Sequence, residues 1–184
     1  MSTQTFSTFF AILTVVANAV VLVVLVSWLL GKVWAPAGGL VPALRDSIGS
    51  TALYLAWGVA VVSTLGSLYY SEVANFPPCD LCWYQRIAMY PLAVVLGIAA
   101  FRDDVGIRRY VWPLTAIGAV IALYHFQLEW FPDQGSFCAV DNPCTVVWVR
   151  EFGFISIAWM AFSGFTLIAT LLALATPADV TDEG

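Results

Sequence analysis

The chain contains four cysteines, and they form two closely spaced pairs. Cys79 and Cys82 form a CxxC motif, and Cys138 and Cys144 lie six positions apart further along the chain. An even number of cysteines in two such pairs predicts disulfide chemistry. Disulfides exchange when a thiolate attacks an accessible sulfur of another disulfide, so we look for features that favour a thiolate or expose a sulfur.

The CxxC motif is predicted to lie at the start of a helix, because Pro77 and Pro78 precede it and an apolar run follows. Unpaired N–H groups at a helix N-terminus favour a thiolate. Cys82 and Arg86 are four residues apart and share a helix face, where the guanidinium adds to this effect. Placing an arginine just inside a membrane span is energetically unfavourable, which indicates that Arg86 has a function. Binding of the Arg86 guanidinium to a lipid phosphate is an alternative that is compatible with the first role.

The second pair lies in a polar loop with the residues Asp141, Asn142 and Pro143 between its cysteines, a combination that favours a turn. Such a turn brings the two sulfurs together in a small, exposed ring. Small exposed disulfides tend to be labile rather than structural. We therefore predict a redox-active disulfide, and the alternative is a purely structural disulfide that holds the loop together.

The elements that position these cysteines are predicted to be transmembrane helices. The chain is 61% apolar and only 10% charged, which argues against a disordered or coiled-coil protein. Its net charge of −5 argues against a basic surface that binds nucleic acid. Four charge-free apolar runs, and a fifth that only Arg86 interrupts, are long enough to cross a bilayer as helices. They predict spans near residues 7–30, 51–71, 83–101, 110–128 and 153–176.

The first run is expected to remain as a helix rather than be cleaved as a signal peptide. No positive residue precedes it, and its apolar core at residues 9–30 is longer than the usual ~7–15 residues. Asn18 lies in the middle of this span, where we expect its amide to be satisfied locally rather than by a neighbouring helix.

Lysine and arginine positions predict the orientation. The loops at residues 31–50 and 102–109 hold five of these residues, whereas the loop at 72–82 holds none and the loop at 129–151 holds only Arg150. The positive-inside rule then places the N-terminus and all four cysteines outside the cytoplasm and the acidic tail inside. The outer compartment is the oxidising one.

Several motifs together resemble the DsbB/BdbC family of membrane thiol–quinone oxidoreductases. Residues 79–92 read CDLCWYQRIAMYPL and are similar to the family's CxxC helix. Three further segments look familial: residues 66–72, Tyr124 with His125, and Trp148 with residues 152–154. The resemblance implies an all-α integral membrane fold. It consists of a four-helix bundle at residues 51–176, an extra N-terminal transmembrane helix and cytoplasmic loop at 1–50, and an acidic cytoplasmic tail at 177–184.

The resemblance also implies a role for each cysteine. Cys138 would exchange with a DsbA-like thioredoxin-fold protein outside the cytoplasm, and Cys144 would resolve toward Cys79. Cys82 would face a membrane quinone of the ubiquinone or menaquinone type and pass electrons to it. Arg86 would sit beside the quinone and stabilise charge on it or on the Cys82 thiolate.

The remaining quinone-site candidates are His125, Trp83 and Trp148. His125 falls at the outer end of the fourth span, and the resemblance implies that it neighbours the quinone. The alternative for all three is an ordinary interfacial residue. Glu129 lies four residues after His125 and could hydrogen-bond to it, and Gln85 is expected to point elsewhere and receives no role.

The sequence also allows three other functions. A vitamin K epoxide reductase-like enzyme has its loop cysteines before the CxxC motif, whereas here the CxxC comes first. A zinc site of four cysteines is the second alternative, although the spacing of the later pair is loose and no metal is expected. A structural or transport protein whose cysteines only link its loops is the third alternative, and it predicts that Cys82→Ser is tolerated.

Overall fold

The structure is a computed structural model that describes residues 2–33, 39–134, 138 and 142–177. Within these residues the fold is all α, with the helices listed here in chain order: α1 (Thr3–Val33), α2 (Leu40–Ile48), α3 (Ala52–Leu68), α4 (Asp80–Arg102), α5 (Arg108–Trp130) and α6 (Ile157–Leu174). Five helical segments are long and apolar enough to cross a membrane: Thr3–Lys32, Ala52–Val73, Asp80–Arg102, Val105–Trp130 and Ile157–Leu174. The five predicted spans are therefore confirmed, and the chain is a multi-pass membrane protein.

Helix α2 lies where the sequence predicts only a loop. It begins at Leu40, carries Arg45 and Asp46, and has no buried residue. Arg45 donates a hydrogen bond to the carbonyl of Ala173 at the end of α6 over 2.8 Å. A scan for charge-free runs overlooks this helix because its charges interrupt the pattern. Its position against α6 ties the α2–α3 corner to the bundle.

The bundle core is formed by α3, α4, α5 and α6, as the resemblance implied. Large side chains without solvent exposure fill it, among them Leu92, Leu96, Phe165 and Ile168. Gly118 on α5 allows close approach of α6, because a Cβ at this position would overlap the ring of Phe165. Small residues at such contacts let transmembrane helices pack tightly where lipid offers no hydrophobic driving force.

Helix α1 packs against α3 and α6. Ala11 is fully buried, and Phe10 fits over Gly66 of α3, where a Cβ would lie 2.5 Å from the Phe10 ring. Asn18 accepts a hydrogen bond of 2.9 Å from the hydroxyl of Ser163 on α6. The expectation of a locally satisfied Asn18 is therefore wrong, because the buried Ser163 provides a donor at the same depth.

The cysteines lie at one end of the bundle. Helix α3 ends there in a π-helical turn, Tyr69–Val73. The chain returns to α6 through a tight turn between Glu151 and Ile155, in which Phe152 and Gly153 adopt positive φ values of 50° and 82°. A glycine suits this left-handed turn because it has no Cβ. The loops from α3 to α4 and from α5 to α6 are thereby held over the same end.

Candidate functional site

The CxxC motif begins α4, as predicted. Cys79 is the N-cap residue, with an extended backbone at φ −74° and ψ 174°, and its sulfur accepts a hydrogen bond from the Cys82 N–H over 3.4 Å. Cys82 lies in the first turn of the helix, where backbone N–H groups lack helical partners. The two sulfurs are 2.9 Å apart as thiols. Because a disulfide is about 2.0 Å long, oxidation of this pair needs only a small movement.

Cys79 is buried, and its surroundings favour its charged form. The hydrogen bond with the Cys82 thiol is the largest cause that lowers the pKa of Cys79, to about 4, and it outweighs the opposing effect of burial. His125 contributes a further hydrogen bond, with Nε2 at 3.7 Å from the Cys79 sulfur. A thiolate is the form of cysteine that attacks disulfides and leaves them readily. Cys79 is thus prepared as the exchanging sulfur of its pair.

The second pair forms a disulfide. Cys138 and Cys144 are joined, with their Cα atoms 5.9 Å apart. Cys144 is 1% exposed and packs in an apolar cluster with Cys79, whereas Cys138 is only partly buried. Asn142 donates a hydrogen bond of 2.8 Å to the Pro78 carbonyl and so fastens the two cysteine loops together. Cys138 is therefore the more accessible sulfur of this disulfide.

His125 connects the two cysteine pairs. Its Nε2 atom lies 3.1 Å from the carbonyl oxygen of Cys144 and also contacts the Cys79 sulfur. Its Nδ1 atom lies 3.0 Å from Nε2 of Gln85. These partners suit a neutral imidazole whose Nε2–H donates to the carbonyl and whose Nδ1 accepts from the Gln85 amide. His125 is 5% exposed, so its orientation is defined by these two contacts.

Gln85 is the residue that sequence reasoning missed. The expectation that it points elsewhere is wrong, since it is buried and holds the His125 ring. Two signals could have found it. Gln85 is an uncharged polar residue inside an apolar span, and it lies three positions after Cys82, a spacing that places both on one helix face.

Glu129 does not take the place predicted for it. Both ring nitrogens of His125 have other partners, and the Oε2 atom of Glu129 is buried without a hydrogen-bond partner in the described part of the chain. Glu129 lines a small cavity of about 30 Å³ together with Cys79, Cys82 and His125. A cavity of this size has room for a water molecule. The Glu129 carboxylate and the two cysteines therefore border the same small cavity.

A larger cavity of about 500 Å³ lies on the other side of Cys82. Cys82, Gln85 and Arg86 line it near the cysteine end, which confirms that Cys82 and Arg86 share a helix face. Arg86 donates a hydrogen bond of 3.2 Å to the carbonyl of Ser67 on α3. Most of the remaining wall is apolar. The cavity can thus receive a molecule with a polar head beside Cys82 and an apolar remainder.

The two tryptophans predicted for this region are placed differently. Trp148 lines both cavities and stacks on Phe76, with ring centroids 5.0 Å apart. Trp83 is half-exposed on α4 and is not among the residues that line either cavity. Its ring lies instead beside the Arg86 guanidinium, 5.3 Å from centroid to Cζ. Trp83 can therefore act on the cavity only through Arg86.

The four-cysteine zinc site considered from the sequence is not formed, because two of its ligands are joined in the Cys138–Cys144 disulfide. A smaller group of donors does converge. The sulfurs of Cys79 and Cys82 and a nitrogen of His125 lie within 4.8 Å of one another. A structural zinc site needs four ligands, and among the described residues this group supplies three.

Comparisons with known proteins place these features in context. The chain matches the sequence profile described as "Disulfide bond formation protein DsbB" over residues 49–176. It is 44% identical over 124 residues to "Disulfide bond formation protein C" of Bacillus subtilis, covering 66% of this chain and 90% of the relative. It is 54% identical over 101 residues to a "Probable disulfide formation protein" of Deinococcus radiodurans, covering 53% and 66%. No solved structure matches the chain.

Proposed function

This chain belongs to the DsbB family of disulfide bond formation proteins, and from that premise we propose that it reoxidises a thioredoxin-fold dithiol protein with a membrane quinone as electron acceptor. Its role as a membrane oxidoreductase of disulfide bond formation follows from the family. The proposed electron path is supported by the way His125 and Cys82 are placed. His125 contacts both cysteine pairs, and Cys82 opens into a cavity with a polar head region and apolar walls.

The cavity suits a quinone by its chemistry. Arg86 and Gln85 bring N–H donors to the end that holds Cys82, where they could receive the carbonyl oxygens of a quinone ring. The apolar remainder of the cavity suits a hydrocarbon tail. A quinone held there would supply the capacity to accept two electrons and two protons. A benzoquinone and a naphthoquinone, as in ubiquinone and menaquinone, both carry such carbonyl oxygens.

Electrons enter at Cys138 because its sulfur is the more accessible one of its disulfide. A thiolate of the partner attacks Cys138, forms a mixed disulfide with it, and releases Cys144 as a thiolate. The second partner thiol then loses its proton and attacks the partner sulfur of the mixed disulfide. The partner leaves with its own disulfide, and Cys138 and Cys144 remain as a dithiol holding two electrons.

Transfer between the pairs runs through Cys79. The Cys144 thiolate attacks the Cys79 sulfur of an oxidised Cys79–Cys82 pair, and Cys82 leaves. Cys138 then attacks Cys144, which restores their disulfide and releases Cys79. His125 favours this release, because its Nε2–H can donate to the departing sulfur while it also holds the Cys144 carbonyl. Low basicity of the leaving thiolate makes exchange faster.

Oxidation of the Cys79–Cys82 dithiol completes the cycle. The two sulfurs already lie 2.9 Å apart, so their disulfide forms with little rearrangement. Two electrons and two protons pass to the acceptor beside Cys82. Arg86 favours negative charge at this point, and its bond to the Ser67 carbonyl keeps it in the cavity wall. Glu129 and His125 are the titratable groups nearest to the dithiol on the opposite side.

The proposed orientation places the cysteine end outside the cytoplasm, in agreement with the distribution of lysine and arginine. In this orientation the partner is an extracytoplasmic protein and the cell membrane is the location. The site then lies where the partner arrives from the aqueous side and the quinone from the lipid side. The Cys138–Cys144 pair would then serve the partner on the aqueous side, and the Cys79–Cys82 pair would serve the quinone on the lipid side.

Anaerobic quinone reduction in nanodiscs tests the proposal, with a reduced DsbA-like protein as donor and short-chain benzoquinone and naphthoquinone as parallel acceptors. The wild type should consume one quinone per donor disulfide formed. Cys82→Ser should abolish quinone reduction and still form a mixed disulfide with the donor at Cys138. Val94→Ala, on the exposed side of the same helix, is the control and should behave as the wild type.

Two results would contradict the proposal. Normal turnover by Cys82→Ser would remove the CxxC pair from the electron path. A lack of quinone reduction by the wild type, combined with stoichiometric metal in elemental analysis, would favour a metal site at Cys79, Cys82 and His125 instead.

A further inference from the structure

Helix α1 lies outside the region that matches the family profile, yet it forms part of the large cavity. The profile covers residues 49–176, whereas α1 is Thr3–Val33. Six α1 residues line the cavity: Phe10, Leu13, Thr14, Val16, Ala17 and Val20. The other walls come from α3, α4, α6 and the loop segments that carry Pro77 and Trp148. Without α1, the cavity would be a groove open to lipid along this side.

The cavity is elongated along the membrane normal. On α3 its lining runs from Tyr54 to Ser67, which corresponds to about 20 Å at the helical rise of ~1.5 Å per residue. On α4 it involves only the first turns, from Cys82 to Tyr90. The polar groups of α4 therefore stand at one end, and the stretch between α1 and α3 extends away from them toward the other end of the bundle.

The part of the cavity between α1 and α3 is lined mainly by apolar side chains. Leu13, Val16 and Val20 of α1 face a wall on α3 that includes Leu55 and Val59. Gly58 also lines it, and a Cβ at Gly58 would meet nothing within 4 Å, so free space adjoins this glycine. A hydrocarbon chain is the ligand class that such a wall accommodates, since it has no polar group to satisfy.

Helix α1 is held in this position by polar contacts at three depths. Gln4 donates to a carboxylate oxygen of Glu151 over 2.8 Å. Deeper in the membrane, the Tyr70 hydroxyl donates to Ser7 over 3.2 Å. Near the middle, Asn18 accepts from Ser163. Polar contacts of this kind stabilise helix association in lipid. The wall that α1 provides is therefore a fixed part of the bundle.

We infer that α1 and α3 form a channel for the isoprenoid tail of the acceptor whose ring lies beside Cys82. This inference rests on the proposed function. The channel is assigned to the tail because it continues from the polar end of the cavity, where the ring of the acceptor is proposed to lie. It assigns α1 a role as a specificity element: the helix selects acceptors that carry a long chain. Val20 and Gly58 are positioning residues that shape the channel, and neither contacts the cysteines.

Two variants fill the channel from opposite walls. Gly58→Leu adds a side chain where the structure has free space, and Val20→Trp enlarges a residue of α1 that lines the cavity. Val23→Trp is the matched control, since Val23 is an exposed valine on the same helix that does not line the cavity. Using both walls keeps the test valid if one variant fails to fold.

Turnover is measured in nanodiscs with a short-chain quinone and with the same quinone carrying a long isoprenoid tail. Both channel variants should raise the apparent KM for the long-tailed quinone about tenfold, which corresponds to about 1.4 kcal/mol. Their kinetics with the short-chain quinone should match the wild type, and Val23→Trp should match it with both. An unchanged KM for the long-tailed quinone in every folded channel variant overturns the inference.

A binding readout separates this inference from the proposed function. A photoreactive isoprenoid quinone should label α1, and the unmodified long-tailed quinone should compete with the labelling even if no turnover occurs. Failure of turnover together with competed labelling counts against the proposed function alone. Absence of α1 labelling overturns the inference. Labelling that the long-tailed quinone does not reduce also overturns it, because a lipid chain then occupies the channel.

Discussion

The Nε2 atom of His125 lies 3.1 Å from the carbonyl oxygen of Cys144, and through this contact a buried histidine of α5 joins the second cysteine loop to the CxxC helix. The same nitrogen is 3.7 Å from the Cys79 sulfur. One side chain thus sets the relative position of a disulfide and a dithiol that are 65 residues apart in sequence at Cys79 and Cys144.

Replacing His125 should slow transfer between the cysteine pairs. In His125→Leu the Cys79 sulfur loses a donor, and a hydrogen bond to a charged group contributes about 1.5–3 kcal/mol. We expect the Cys79–Cys82 pair to be reduced at least tenfold more slowly by the second pair in rapid-quench thiol trapping. Capture of the donor at Cys138 should be unchanged, and a slowed capture would indicate general misfolding instead.

The Cys79 thiolate should persist far below the usual titration range of cysteine. Because the pKa of Cys79 is lowered to about 4, the thiolate is present at neutral pH and is lost as the pH falls through about 4. An ordinary thiol loses its charge below about 8.5. The measurement is thiolate absorbance of the reduced protein minus that of Cys79→Ser, and a midpoint near 8.5 would contradict the assignment.

Arg86 should matter more for acceptor use than for folding. Arg86→Met removes the donor to the Ser67 carbonyl and the positive charge beside Cys82, so the apparent quinone KM should rise about tenfold or more. Arg86→Lys should recover only part of this loss, because lysine keeps the charge but not the planar guanidinium. Equal kinetics for wild type and Arg86→Met would take Arg86 out of the acceptor site.

The two tryptophans should behave differently. Trp148 lines both cavities, whereas Trp83 lines neither. Trp148→Leu should therefore raise the apparent quinone KM severalfold, and Trp83→Leu should have a smaller effect that disappears in an Arg86→Met background. Steady-state kinetics of the two variants and the double variant provide the comparison, and additive effects of Trp83 and Arg86 would argue against the proposed coupling.

Gly118 should be intolerant of a side chain. Gly118→Ala places a methyl group against the fully buried ring of Phe165, and overpacking of this kind costs about 1–3 kcal/mol. Gly58→Ala, where the added group meets nothing within 4 Å, is the matched control. Unfolding in mixed detergent micelles should separate the two variants, and equal free energies of unfolding would mean that α5 and α6 can move apart at little cost.

Much of the fold can be predicted from the sequence because apolar runs and helix-start residues are local features. Four charge-free apolar runs and a fifth that only Arg86 interrupts predict the five spans, and Pro77 and Pro78 before Cys79 locate the start of α4. The short helix α2 is not predicted by this pattern because Arg45 and Asp46 interrupt it. The joining of Cys138 to Cys144 likewise follows from their closeness in the chain.

The residues available for chemistry, namely two cysteine pairs and the arginine one turn after Cys82, can be read from the sequence. Helix packing, in contrast, brings Gln85 to His125, leaves Oε2 of Glu129 without a hydrogen-bond partner among the described residues, and lets α1 complete a cavity beside Cys82. Because transmembrane helices are apolar on nearly every face, the pattern of residues does not show how each helix is rotated. Rotation is set by close packing and a few polar contacts between helices.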